Sequence, residues 1–348
     1  MYKVCIRCFT YNHSQFIEDA MNGFVMQKTD FPYVAVIVDD ASTDNAQQVI
    51  TDYFNRSFDF DNPSVAFREE ASFGVVLFAQ HNTNKNCFFA IVLLKENHYS
   101  TKKSKHPYLS RWLDDSEYNA ICEGDDYWFD PLKLQKQVDL LDKHPEYNIC
   151  SHDYTRYTHD SLSFDSKSFY ADLFSDDESP DRVEYSLDTY FDRWWTQPLT
   201  CLYRNGDYLK RIPYESYKFH RDDIFFYYVL KEGKGVLLSD CMGVYRVHQG
   251  GVWSGKSLIQ RSERAIYNAY NIYLVEGDVR AFNKIDREEL RILFDLFNRH
   301  SYFEVVRRIV DYRKKAPKGH FHYVVECFRK WVYSKTKQRI RRLIHLEK

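Results

Sequence analysis

The stretch YVAVIVDDASTD, residues 33–44, decides the fold. Its first six residues are an unbroken apolar run rich in β-branched side chains, the pattern of a strand buried on both faces of a parallel sheet. The run stops at Asp39-Asp40. Ala41-Ser42-Thr43-Asp44 then leads into a segment whose Val49, Ile50, Tyr53 and Phe54 recur at helical spacing. Upstream, residues 2–8 alternate as a first strand, and Asn12-His13-Ser14 supplies capping residues. Phe16, Ile17, Ala20, Met21, Phe24 and Val25 form the apolar face of a helix. Strand, helix, strand, helix is a βαβ unit, and ligands of such sheets bind beyond the carboxyl ends of the strands. Asp39-Asp40 stands at one of those ends.

Further along, YNAIC (118–122) reads as a strand and ends in Glu123-Gly124-Asp125-Asp126. Asp130-Pro131 opens a helix with Leu134, Val138 and Leu141 on one face, and YNICSHDY (147–154) is the next strand. Residues 57–86 hold short strand candidates. Residues 95–107 read as a polar loop in which Lys102, Lys103 and Lys105 are solvated. Residues 155–193 are acidic, aromatic and irregular, suited to an excursion that covers a site. Residues 215–247 give a helix carrying Asp222-Asp223, then Gly233-Lys234-Gly235 and a strand VLLS (236–239). Beyond about residue 257 the pattern is helical, and the chain closes on the basic RKWVYSKTKQRIRRLIHLEK (329–348). The expected organisation is an α/β domain over 1–256 and a helical extension over 257–348.

Lys and Arg (48) balance Asp and Glu (50), which argues against a dedicated nucleic-acid binder. No segment reaches the ~18–20 apolar residues of a membrane-spanning helix. The N-terminus turns polar too soon for a signal peptide. These features place the chain in the cytosol, with its eight cysteines as thiols. Cys5 and Cys8 form a C-x-x-C on a strand, with no second pair to complete a zinc site, and read as buried small hydrophobes.

Carboxylates gather at two strand ends, Asp39/Asp40 and Glu123/Asp125/Asp126, and a third pair, Asp222/Asp223, lies on a later helix. Paired carboxylates at a strand terminus make a hard, oxygen-rich site suited to Mg²⁺ or Mn²⁺ bound together with substrate phosphates. Gly124 lets ligand or backbone approach closely. Taken alone, the turn reads rather as a solvated cap for the helix after Pro131.

In combination, FTYNH (9–13), VDDASTD (38–44), ENHYS (96–100), CEGDDYWFDPLKLQKQVDLL (122–141) and KGVLLSDCMGVYRVHQGGVWSG (234–255) resemble the family-2 glycosyltransferases of the GT-A fold, closest to bacterial enzymes that assemble surface polysaccharides. The resemblance covers roughly residues 1–255. It implies a Rossmann-like three-layer α/β/α nucleotide-sugar domain with a helical C-terminal extension. It also implies that Asp40 hydrogen-bonds the nucleobase, with Thr10, Tyr11, Asn12 and Ser42 beside it. Asp125 would be the last acid of the family's D-x-D, holding Mn²⁺ or Mg²⁺ against the diphosphate. Glu123 stands where the first Asp is usual, with ribose, metal or water as its open choices, and Gly124 and Asp126 complete the turn. His248 would join the metal, and Trp253 the loop that closes over the diphosphate. Counting eleven residues back from Gly233, as the family's general base requires, gives Asp222, with Asp223 its neighbour.

The implied reaction is metal-dependent transfer from a nucleotide-sugar, a UDP-sugar first, to a saccharide or lipid-linked acceptor. One base and no second nucleophile favour a single displacement with inversion. Trp194-Trp195 suit either sugar stacking or core packing, and Arg246 either a phosphate or an acidic neighbour. The tail, with Arg339, Arg341 and Arg342 between Ile340, Leu343 and Ile344, suits an anionic membrane surface on the inner face of the plasma membrane, its own domain, or a second subunit. Two other functions compete: a nucleotidyltransferase, which would carry a Gly-rich triphosphate loop absent from FTYNHSQF, and a non-catalytic sugar-binding or scaffold relative.

Overall fold

The computed structural model describes residues 2–175, 180–217, 222–251 and 255–346, with side chains up to residue 338. The chain forms two compact units: Met1–Leu187, Trp194–Ile212 and Phe226–Gly251 make the first, and Asp188–Arg193, Pro213–Phe225 and Val252–Lys348 the second.

The first unit opens with β1 (Val4–Thr10), α1 (Ile17–Val25), β2 (Tyr33–Asp39) and α2 (Ala46–Ser57), the βαβ unit expected from the sequence. All seven residues of β2 are buried, which explains why its sequence carries no polar residue before Asp39. Each fully buried Val or Ile there contributes about 1.5–3 kcal/mol of transfer free energy. Then come β3 (Phe58–Asp59), β4 (Phe67–Ala71), β5 (Gly74–His81) and β6 (Cys87–Leu94), followed by the short helices α3 (His98–Thr101) and α4 (Ser110–Leu113). The acidic turn lies between β7 (Tyr118–Ile121) and β8 (Tyr127–Trp128), and α5 (Lys133–Lys143) and β9 (Tyr147–Thr158) follow it. The remaining strands are β10 (Ser163–Phe164), β11 (Arg182–Tyr185), β12 (Leu202–Arg204) and, after α6 (Asp222–Lys231), β13 (Lys234–Val247).

These strands make one sheet in the order β11-β13-β9-β12-β7-β1-β2-β6-β5-β3, with β10, β4 and β8 paired on β9, β5 and β13. At its centre β7, β1, β2 and β6 run parallel, so their carboxyl ends share one edge. Thr10 faces Asp39 in register. Gly124 N–H donates to the Phe9 carbonyl at 2.9 Å, which brings the acidic turn alongside the end of β1. α1 packs so closely on β8 that a Cβ at Gly23 would sit 2.8 Å from the Trp128 carbonyl oxygen.

Several expectations are refined. The strand read as VLLS is the start of a 14-residue β13, which runs on past register shifts at Leu238/Cys241 and Cys241/Gly243 to Val247. The basic loop contains α3, whose Asn97 side chain caps it by accepting from the Ser100 N–H. Cys5 and Cys8 are buried thiols, as expected.

The second unit is helical: α7 (Leu258–Glu276), α8 (Ala281–Asn298), α9 (Tyr302–Lys315) and α10 (Lys318–Leu346). A Ser257/Gln260 capping box starts α7, and Gly277 at φ 69° ends it. Buried carboxylates bind the helices together. Glu289 pairs with Arg308 at 2.7 Å, and Asp286 accepts from the Tyr312 hydroxyl and pairs with His320 at 2.7 Å. Among the described residues no helix is long and apolar enough to cross a membrane.

Candidate functional site

Three side chains converge at the carboxyl edge of the first unit. Asp125 Oδ2 lies 3.1 Å from His248 Nε2 and 3.8 Å from His13 Nε2. One ligand atom from each of the three falls within 4.8 Å of the others, an arrangement able to hold a metal ion. His13 sits between β1 and α1, Asp125 follows β7, and His248 follows β13. Burial holds the His13 imidazole below its usual range, with Asp125 pulling the other way. For Asp125, burial alone would raise the carboxyl. The hydrogen bond from His248 and the two imidazoles outweigh it and bring it below the ordinary value.

A layer behind these three holds them in position. The Arg246 guanidinium donates to the Asp125 carbonyl at 2.8 Å and to the Asp19 carboxylate at 2.7 Å, and its backbone N–H donates to Asp126 Oδ1 at 2.8 Å. It also lies over the rings of Phe16 and Tyr127, at 4.7 and 4.9 Å. Phe16 in turn packs on His248, ring centroids 4.9 Å apart. Burial and the adjacent Asp125 push the Asp126 carboxyl well above its usual range. Of the two readings of Arg246, pairing with an acidic neighbour is the one observed.

Glu123 turns back into the protein: its Oε2 accepts from the Phe9 N–H at 2.9 Å, and its Oε1 lies 3.6 Å from Arg7. It joins β7 to β1. Gly124 is required by packing, since a Cβ there would meet Thr10 Oγ1 at 2.6 Å. Thr10 Oγ1 and His13 Nδ1 are buried without a hydrogen-bond partner.

The second acidic turn is equally organised. Asp39 accepts from the Ser42 N–H (2.9 Å), the Ser42 hydroxyl and Gln47 Nε2 (2.7 Å). Asp40 accepts from the His98 N–H at 2.7 Å and the Tyr99 N–H at 3.0 Å, and pairs with Lys105 at 2.8 Å. Burial would raise its carboxyl, but Lys105 and the two N–H groups carry it below the usual range. Lys105 is thus the partly buried partner of Asp40 and not a solvated loop residue, whereas Lys103 pairs at the surface with Glu96. Asn12, at φ 57°, bridges the two loops: its N–H donates to Ser42 Oγ at 2.9 Å and its Oδ1 accepts from the Thr43 N–H at 2.7 Å. Tyr11 is exposed beside it, 41% accessible.

Trp195 is buried and stacks on Tyr185 with planes 1° apart, and Trp194 Nε1 donates to Gln197 at 2.9 Å. Asp222 and Asp223 begin α6 and belong to the second unit. Asp223 pairs with Lys284 at 3.0 Å and accepts from Asn268 at 3.4 Å, while Asp222 is exposed. Trp253, and the side chains of Arg339, Arg341 and Arg342, lie outside the described residues. Sequence reading gave His13 no role beyond capping and left Lys105 in solvent. The only signal for His13 was its place at the end of FTYNH.

No protein-family model matches the chain. The uncharacterized proteins Rv1520 of Mycobacterium tuberculosis and Mb1547 of Mycobacterium bovis are each 30% identical to it over 250 residues, a match covering 70% of this chain and 58% of theirs. The chain thus matches little more than half the length of these curated relatives. Among solved structures, S. aureus TarS 1–349 in complex with UDP-GlcNAc aligns with a TM-score of 0.57 at 16% identity, covering 93% of this chain and 87% of that one. A longer S. aureus TarS structure aligns with a TM-score of 0.53 at 16% identity, over 93% of this chain and 53% of TarS. The chain has a GT-A-like fold, with its large mixed sheet followed by a helical region.

Proposed function

We propose that the chain is a metal-dependent, inverting glycosyltransferase of the family-2 type. It moves a sugar from a nucleotide-sugar, a UDP-sugar first, to a hydroxyl of a saccharide or lipid-linked acceptor in surface-polysaccharide assembly. The observation that carries this reading is the His13–Asp125–His248 cluster at the carboxyl edge of the parallel strands, in a fold shared with a protein that binds UDP-GlcNAc. The three ligand atoms of His13, Asp125 and His248, all within 4.8 Å of one another, fit a bound divalent cation. Two nitrogens and one carboxylate favour Mn²⁺ over Mg²⁺, which prefers oxygen ligands throughout. Such an ion neutralises charge growing on a leaving diphosphate.

The chain's own residues supply the rest. Thr10, Tyr11, Asn12 and Ser42 line the nucleoside side of the donor. Asp40 orders the 98–105 segment beside it, and its direct bond to the base is part of the proposal. Glu123, Gly124 and Asp126 shape the turn that presents Asp125, and Trp253 closes over the diphosphate. Asp222 takes the proton of the acceptor hydroxyl as that oxygen attacks the anomeric carbon. The bond from that carbon to the phosphate oxygen breaks, and the nucleoside diphosphate leaves. The exposure of Asp222 at the start of α6 suits a base that meets an acceptor arriving from solvent. A lipid-linked acceptor would suit a peripheral site on the inner leaflet, reached through the basic tail.

The test is product analysis with UDP- and GDP-sugars and Mn²⁺. Release of the nucleoside diphosphate, abolished in Asp125→Ala, is expected. Release of a sugar 1-phosphate, with the nucleoside monophosphate transferred to the acceptor, would turn the assignment to nucleotidyl transfer.

A further inference from the structure

We infer that the outer face of α9 is a docking surface for an anionic lipid membrane. Val305 and Tyr312 bury one side of this helix within its own unit, 6% and 4% exposed. On the other side Phe303, Val306 and Val310 follow one another at i, i+3 and i+7, and they are 82%, 61% and 49% exposed. At 3.6 residues per turn the three share an arc of about 60°. Arg307 and Lys314 border this stripe on one flank and Arg313 on the other, all exposed. The acidic residues of the helix, Glu304 and Asp311, fall on a separate side. Asp311 reaches Lys314 at 3.2 Å in an exposed pair, a weak bond that a phosphate can replace.

An apolar stripe between two cationic borders matches the boundary between acyl chains and headgroups: Phe303 and the valines enter the apolar layer, and the arginines meet phosphates. A second copy of this chain fits the face poorly. An isologous contact would set the cationic borders of one copy, Arg307, Lys314 and Arg313, against those of the other. Since no described helix can span a bilayer, the contact is interfacial. The inference stands apart from the proposed transfer reaction, because vesicle binding is read without turnover.

The full chain is sedimented with vesicles of phosphatidylglycerol and phosphatidylcholine in equal parts, and with phosphatidylcholine alone. Pelleting is expected with the mixed vesicles only, and it should weaken at high salt. Combined Phe303→Ser, Val306→Ser and Val310→Ser should lower the partition coefficient at least about tenfold. Arg307→Gln and Arg313→Gln should lower it about fivefold each. The altered residues are exposed, so the far-UV spectrum and Tm should hold. Pelleting of the triple variant at the wild-type level would overturn the inference. So would loss of all binding on neutralising Arg339, Arg341 and Arg342 alone. A third contradicting result is a wild-type dimer that ignores vesicles and that the triple variant splits, which would assign the face to self-association.

Discussion

His248 Nε2 approaches Asp125 Oδ2 to 3.1 Å across 123 residues of sequence. The contact exists because β13 runs on to Val247 and because Arg246, two residues before His248, binds the turn that carries Asp125. β13 thus delivers both the proposed ligand His248 and the residue that braces the acidic turn.

Arg246 touches no proposed ligand atom of the metal, yet it fixes the carbonyl of Asp125 and, through its backbone, the carboxyl of Asp126. Arg246→Met keeps an unbranched stem and removes the guanidinium that lies over Phe16 and binds the Asp125 carbonyl. Mn²⁺ affinity, read by electron paramagnetic resonance of the free ion, should fall about 10–100-fold, the usual effect of removing an outer partner of a metal ligand. Unchanged affinity would mean that the turn holds its own shape.

Ala41 has φ 58°, a left-handed conformation that costs a residue with a Cβ about 1–2 kcal/mol. Ala41→Gly removes that cost and adds about 0.5–1 kcal/mol of unfolded-state entropy. A net gain of up to about 1.5 kcal/mol is expected in urea unfolding. A loss of stability would show that the Ala41 methyl contributes packing that outweighs the strain.

Asp40 and Lys105 make a pair whose side chains are 3% and 15% exposed. Asp40→Asn should cost about 1–3 kcal/mol by leaving the ammonium without its countercharge. The native carboxyl titrates below its unfolded value of about 3.9, so the native state binds fewer protons than the unfolded chain in that range. The Tm gap between wild type and variant should therefore be full above about pH 4 and shrink as the pH falls below it. A gap independent of pH would contradict the ionic account.

Asp222→Asn should leave donor binding intact and remove most turnover. Asp223→Asn breaks the Lys284 pair, so it should lower Tm while keeping much of the rate. The reverse pattern in steady-state kinetics and melting would move the base to Asp223.

The parallel centre of the sheet was legible because β2 is buried from end to end, and a strand with no solvent face shows as an apolar run. The acidic turns were legible because charges break such runs abruptly. His13 was hidden because a histidine beside asparagine and serine at a helix start looks like any capping residue. Its meaning depends on Asp125 and His248, which only the sheet order brings near. Lys105 was misread for the same reason: its partner Asp40 is 65 residues earlier, and local composition around Lys105 is that of a solvated loop. The length of β13 was obscured by Ser239-Asp240 and Gly243, polar and small residues at its register shifts. The compact units could not be read linearly either, since 188–193 and 213–225 belong with the C-terminal helices.

The most direct test of the central claim is a melting panel of UDP- and GDP-sugars, each with and without Mn²⁺, on wild type and Asp125→Ala. A Tm rise with at least one nucleotide-sugar that requires Mn²⁺, and is lost in Asp125→Ala, is predicted. No rise with any donor, or a rise that survives in the variant, would contradict a metal-dependent donor site at Asp125.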